Sequence, residues 1–175
     1  MFDPTVFDNL KTVLEGAVYD LDLDGVIIVT NRNDLMDLAH FSRTYKITFR
    51  LREYGTASVT CTITLQTKLE HIAGELLEQN HLKPGCVLEI AFNMPIKQSE
   101  TTCFHIKEML ANIWGSNRII RQTLTYEYQG EKKEYDNLIT IEFDRLIDEG
   151  NVDDLQAMIP YVIESLRQLQ PFYGM

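Results

Sequence analysis

The run Leu124-Thr125-Tyr126-Glu127-Tyr128-Gln129-Gly130-Glu131, answered by Asn137-Leu138-Ile139-Thr140-Ile141-Glu142-Phe143, decides the fold. Leu124, Tyr126 and Tyr128 alternate with polar neighbours, as do Ile139, Ile141 and Phe143, and period-two alternation marks strands with one buried face. Gln129-Gly130-Glu131 supplies the turn between them, so the two runs form an antiparallel hairpin. Before it, Ile106, Met109, Leu110 and Ile113 follow the helical spacing i, i+3, i+4, i+7, and Gly115 stops that helix where a left-handed residue is wanted. After it, Leu155, Met158, Ile159, Val162, Leu166 and Leu169 stripe a second helix. Pro160 inside that helix removes one backbone hydrogen bond and predicts a kink. Phe104 to Met175 therefore reads as helix, hairpin, helix.

Working outward, Asp3 before Pro4 opens a first helix, with Val6, Phe7, Leu10, Val13 and Leu14 as its buried face and Gly16 as its end. Tyr19, Leu21 and Leu23 then alternate and turn at Asp24-Gly25 into the apolar run Val26 to Val29, a hairpin pattern. Asn33 to Phe41 reads as a short helix capped by Asn33, with Leu35, Leu38 and Ala39 inward. A further hairpin spans Tyr45 to Leu65: Tyr45, Ile47, Phe49 and Leu51 share a side with Val59, Cys61, Ile63 and Leu65. Thr67 to Glu70 has the form of a capping box opening a helix that buries Leu69, Ile72, Leu76 and Leu77. Pro84-Gly85 breaks the chain before a strand over Val87 to Phe92, and Met94 to Thr102 reads as a loop. Up to three hairpins exclude a doubly wound parallel sheet. The expected class is α+β, an antiparallel sheet built from hairpins with helices packed on one face, in a single domain over 1–175.

Composition bounds the function. A 45% apolar and 24% charged content is that of an ordinary globular protein. No apolar run reaches a membrane span, and Met1-Phe2-Asp3-Pro4 lacks the pattern of a signal peptide. Cys61, Cys86 and Cys103 are odd in number and lack metal-type spacing, and Cys61 falls on an apolar strand register, so a reducing cytosol is expected. The net charge of −10 argues against nucleic acid and suits either self-repulsion or a basic partner.

Chemistry is sought first at Asp20-Leu21-Asp22-Leu23-Asp24-Gly25-Val26. Its last five residues resemble the DxDGV signature of the haloacid dehalogenase-like phosphatases, which implies Asp22 as nucleophile and Asp24 as acid/base beside magnesium. That motif ends a buried parallel strand, whereas Asp20 and Asp22 here share a solvated register. The family's downstream lysine and acidic metal motif have no clear counterpart, since Asp153-Asp154 opens a helix. An ordinary turn is the preferred reading. Read instead as a calcium loop from Asp20, the stretch places Asn31 where a bidentate Glu is required. His105 and Glu108 lie one helical turn apart, but His40, His71 and His81 are too scattered to complete a metal site. Cys103 and His105, two apart on a helix, point to different faces. No catalytic residue, metal or cofactor is assigned, and the expected protein is not an enzyme.

One surface stands out against the acidic background. The outward register of the first-half hairpin reads Lys46, Thr48, Arg50, Arg52 on one strand and Ser58, Thr60, Thr62, Thr64 on the other. A solvated sheet face explains this pattern. A docking face for an acidic or extended partner explains it too, with Lys46, Arg50, Arg52, Thr60 and Thr62 as the partner-binding residues. Trp114 and Pro171-Phe172-Tyr173 are read as closing the core.

Ala111-Asn112-Ile113-Trp114-Gly115-Ser116-Asn117-Arg118, the hairpin after it, and Glu142 through Phe172 resemble the end of a YbjN-like protein. That group shares its fold with type III secretion chaperones. The resemblance rests on an asparagine–tryptophan helix end, a hairpin with a glycine-containing turn, and an acidic-glycine link, Asp148-Glu149-Gly150, into a long final helix. It covers about 70 residues; the helix at Lys68 to Asn80 and the strand at Val87 to Phe92 stand outside it. It implies a small acidic cytosolic protein, often dimeric, that holds another polypeptide and carries no catalytic residues. A non-enzymatic, chaperone-like binding module is thus expected, without nucleic acid or membrane. A magnesium-dependent phosphatase using Asp22 and Asp24, or an acidic inhibitor or immunity protein, is the alternative.

Overall fold

Alternating apolar and polar residues give the middle of the chain its strands, and a computed structural model shows how they join. It describes residues 5–77 (backbone alone over 74–77), 85–97, 99–130 and 134–175. Among these residues six strands form one sheet: β1 (Ile27–Asp37), β2 (Ser42–Leu51), β3 (Thr60–Thr67), β4 (Val87–Ile96), β5 (Ile119–Thr125) and β6 (Tyr135–Glu142). Their order is β1-β2-β3-β4-β6-β5, and every neighbouring pair is antiparallel. Four helices accompany them: α1 (Thr5–Leu23), α2 (Leu69–Leu77), α3 (Ser99–Trp114) and α4 (Val152–Leu169). The class is α+β, as the hairpins imply.

The β2–β3 hairpin is the centre of the core. Tyr45, Ile47, Phe49, Leu51, Val59, Cys61, Ile63 and Leu65 are all 2% exposed or less, on the side the alternation assigns them. Each such side chain contributes about 1.5–3 kcal/mol on burial, so the hairpin's register is strongly held. Against this side pack Phe7, Leu10, Leu14 and Val18 of α1, Ile106 and Leu110 of α3, and the whole expected stripe of α4. Pro160 lies on the exposed side of α4, where the Gln156 carbonyl that loses its helical partner faces water. Cys86 and Ile147 join in an antiparallel bridge (N–H to O 2.8 and 2.9 Å) beside the end of β6.

The first third differs from the sequence reading. α1 runs through Gly16 to Leu23, so neither a strand over Ala17 to Leu23 nor a hairpin turn at Asp24-Gly25 forms. Val18 extends the stripe of Leu10 and Leu14 onto the sheet, and its full burial outweighs the roughly 0.5–1 kcal/mol cost of a mid-helix glycine. Asp24-Gly25 closes the helix instead. The Val26 N–H donates to the Leu21 carbonyl and the Gly25 N–H to the Asp22 carbonyl, both at 3.0 Å, with Gly25 at φ +77°. Those two bonds and that left-handed residue are a Schellman cap.

Asn33 to Phe41 is not a helix but the second half of β1 and the turn into β2, with Leu35, Leu38 and Ala39 exposed. The strand wins because its inward side chains are polar and find partners: Arg32 meets Glu15, and Asp34 meets Arg43 and Lys11. Thr67 belongs to β3, and its buried hydroxyl donates to the Gly85 carbonyl (3.3 Å). In α2, Ile72 is buried but Leu69 is exposed. The loop expected over Met94 to Thr102 is nearly all regular structure, since β4 reaches Ile96 and α3 starts at Ser99. Tyr126 and Tyr128 lie beyond β5 in an exposed turn. Asp3, Pro4, Pro84, Glu131 and the side chains of Leu76 and Leu77 fall outside the described residues.

Candidate functional site

With α1, α3 and α4 on one side, the other side of the sheet carries the polar register. The pairings Lys46↔Thr64, Thr48↔Thr62 and Arg50↔Thr60 put Lys46, Arg50, Thr60 and Thr62 on that face together. It continues across Glu89, Ala91 and Asn93 of β4 and Leu138, Thr140 and Glu142 of β6. Not one of these outward residues is buried, although β2, β3, β4 and β6 are interior strands. The face is open.

Its chemistry is segregated by strand. β2 carries the cations Lys46 and Arg50, β3 a ladder of threonines, and β4 and β6 the carboxylates Glu89 and Glu142. Thr48 and Thr62 share a hydroxyl–hydroxyl hydrogen bond of 2.8 Å, which orders the middle of the ladder. Arg50 donates through Nη1 to the Gly55 carbonyl. Among the described residues Lys46 has no ion pair, while Glu142 faces Arg121 at 3.5 Å.

Arg52 separates from the other four candidates. A short 3-10 turn (Arg52–Tyr54) follows Leu51 and breaks the strand's alternation. The guanidinium reaches past β1 to the end of α1, with Nη2 3.1 Å from Asp22 Oδ1 and 3.3 Å from the Ile27 carbonyl. Asp22 in turn accepts from the Val29 amide (3.4 Å). This pair ties the acidic C-terminus of α1 to the sheet, where the helix dipole favours a cation over three aspartates. Asp22 and Asp24 thus sit at a helix end rather than at the end of a parallel strand, and Asp20 and Asp24 are exposed.

The remaining candidates are dispersed. His105 and Glu108 are both exposed on α3, and no three His, Cys, Asp or Glu side chains gather into a metal cluster among the described residues. Cys61 is buried on β3, and burial pushes its thiol pKa well up, so it behaves as an inert apolar side chain. Cys103 is half-buried, and its carbonyl accepts from Gln122 (2.7 Å).

Two arrangements under the sheet are invisible in the sequence. Arg43 forks onto Asp34 through Nε and Nη2, both 3.0 Å, and reaches Asp8 of α1 through Nη1 at 2.8 Å, while lying 4.8 Å from the centre of the Phe7 ring. The Arg43 hydrogen bonds, helped by Lys11, hold the Asp34 carboxyl below its ordinary pKa. Beside them the Tyr45 hydroxyl is buried and, among the described residues, has no hydrogen-bond partner. Burial first and the Glu15 charge second push its phenol pKa far up.

The second arrangement is a cavity of about 500 Å³ between the end of α3, the segment after β6 and the first half of α4. Trp114, Phe143 and Tyr161 wall it, and Arg118, Arg145 and Asp154 stand at its rim. No helix among the described residues is long and apolar enough to cross a membrane. Compared with protein-family models, with curated proteins and with solved structures, the chain matches none.

Proposed function

We propose that this chain is a non-enzymatic, chaperone-like module of the cytosol that holds an extended polypeptide on the open face of its sheet. The observation that supports this reading most is that none of the outward residues named on four interior strands is buried, with cations and threonines concentrated on β2 and β3. An extended acidic segment laid along these strands meets Lys46 and Arg50 with its carboxylates. The hydroxyls of Thr60 and Thr62, which both donate and accept, meet its polar groups. The C-terminal features shared with YbjN-like proteins favour the same reading: the Asn112–Trp114 helix end, the β5–β6 hairpin, and Asp148-Glu149-Gly150, which caps the turn into α4.

A second reading has its own support. Because β2 is cationic while β4 and β6 are acidic, a two-fold axis running along β3 would set Lys46 of one copy over the carboxylates of another. An isologous face needs that self-complementarity. Fluorescence anisotropy with a labelled, unstructured Asp/Thr/Val peptide distinguishes these readings. Micromolar binding that weakens with salt and is lost in Lys46→Glu/Arg50→Glu supports polypeptide holding. A concentration-dependent dimer abolished by the same double variant, with no peptide binding, transfers the face to the second copy.

A further inference from the structure

The cavity behind the sheet plays no part in the docking reading. Its floor is apolar: Leu88, Ile147, Leu155 and Met158 are each 7% exposed or less. Its walls are aromatic and fixed. Trp114 stands 6.1 Å from Phe143 edge-on and 5.8 Å from Tyr161 at a tilt. The Trp114 indole donates to Ser165 Oγ at 2.9 Å, and that hydroxyl donates to the Tyr161 carbonyl at 2.7 Å, so the plane of the ring is set before anything binds. The volume, about 500 Å³, lies within the range that encloses a small organic molecule, roughly 300–1,000 Å³.

The rim decides the ligand's charge. Arg118 lies 4.9 Å from the centre of the Phe143 ring and, among the described residues, has no carboxylate partner. Arg145 pairs with Asp154 across the mouth at 3.2 Å. Two guanidiniums against one carboxylate leave the rim cationic on a chain whose net charge is −10. The N-terminal turn of α4, at Asn151 and Asp154, adds the positive end of a helix dipole to the same mouth.

We infer that this cavity binds a small aromatic carboxylate, its ring against the Trp114 and Tyr161 wall over the apolar floor and its carboxylate on Arg118. The ring replaces water against aromatic and aliphatic walls, and the Arg118 guanidinium, without a carboxylate partner among the described residues, offers a fork suited to a carboxylate.

Trp114 is the chain's one tryptophan, so its emission reports on this cavity and nowhere else. The test titrates 4-phenylbutanoate at pH 7 and, in parallel, its neutral isostere 4-phenylbutanamide. A ligand of about twelve heavy atoms should saturate with a Kd on the order of 0.1–3 mM. The amide should bind at least about fivefold more weakly, and Arg118→Gln should bring the acid down to the amide's affinity without moving the amide. Ala157→Phe, which fills the mouth from an exposed position on α4, should abolish both. The wild-type comparison of acid with amide needs no variant and stands even if one fails to fold. Unmoved emission at 10-fold above that range, equal affinity of acid and amide, or unaltered binding in folded Ala157→Phe each overturns the assignment.

Discussion

Replacing Arg43 by methionine tests whether the charged cluster under β1 and β2 holds α1 in place. The side chain is 20% exposed, and its carboxylate partners Asp34 and Asp8 are 27% and 36% exposed, so the cluster is neither fully wet nor dry. A hydrogen bond to a charged group contributes about 1.5–3 kcal/mol when shielded, against about 0.2–1 kcal/mol for a pair in open water. Three such bonds at this depth, with the methionine stem still lying on Phe7, make the expected loss about 2 kcal/mol. With a urea slope of about 2 kcal/mol per molar, the midpoint should fall by about 1 M. Acid removes part of this difference. The Asp34 pKa is lowered in the fold, so its contribution is present above the ordinary carboxylate value and lost as pH falls through the lowered one. The gap between wild type and Arg43→Met should therefore narrow below about pH 4. A double-mutant cycle with Asp34→Asn should return a coupling of about 1 kcal/mol. A midpoint shift under about 0.3 M, or additivity within about 0.3 kcal/mol, refutes the reasoning.

Tyr45→Phe should leave the protein as stable or raise it by up to about 1 kcal/mol, because it removes a buried hydroxyl that meets no partner in hydrogen-bond geometry among the described residues; a loss above about 1 kcal/mol in urea denaturation would show that the hydroxyl is satisfied, with Glu15 as the acceptor at hand. A panel of phosphomonoesters with magnesium should give only background turnover, equal in wild type and Asp22→Asn. Turnover lost specifically in that variant would restore the phosphatase reading. Arg52→Glu should lower stability through the end of α1 while leaving peptide affinity on the sheet face unchanged.

How much of this was legible in the sequence depended on whether each pattern had one physical meaning. In β2, β3 and α4 it did: period two or 3.6 with a single apolar set, so register and buried face follow directly. Around residues 17–25 it did not. Tyr19, Leu21 and Leu23 alternate, yet Leu14 and Val18 continue a helical stripe, and Asp-Gly serves a hairpin and a helix end equally well. Contact with the sheet settled it. The inner side of β1 is hidden for another reason, since its inward residues Arg32 and Asp34 are charged and their partners lie on α1 and β2. The open face could be read from alternation alone, except at Arg52, where a 3-10 turn ends the register, and at Ser58, which precedes β3 and is buried with its hydroxyl on the Gly55 carbonyl. The cavity could not, because Trp114, Phe143 and Tyr161 come from three separate segments.

The central claim, a sheet face that holds an extended acidic polypeptide, is tested most directly by residue-resolved amide chemical shifts during titration with the unlabelled Asp/Thr/Val peptide. The perturbations should fall on Lys46, Thr48, Arg50, Thr60, Thr62 and Thr64 and shrink as salt rises, since screening acts over roughly 8–10 Å near physiological ionic strength. They should vanish in Lys46→Glu/Arg50→Glu, which should stay folded with a loss of about 1 kcal/mol, chiefly from the Arg50–Gly55 hydrogen bond. Perturbations centred on the helices instead, or undiminished in the folded double variant, would contradict the claim.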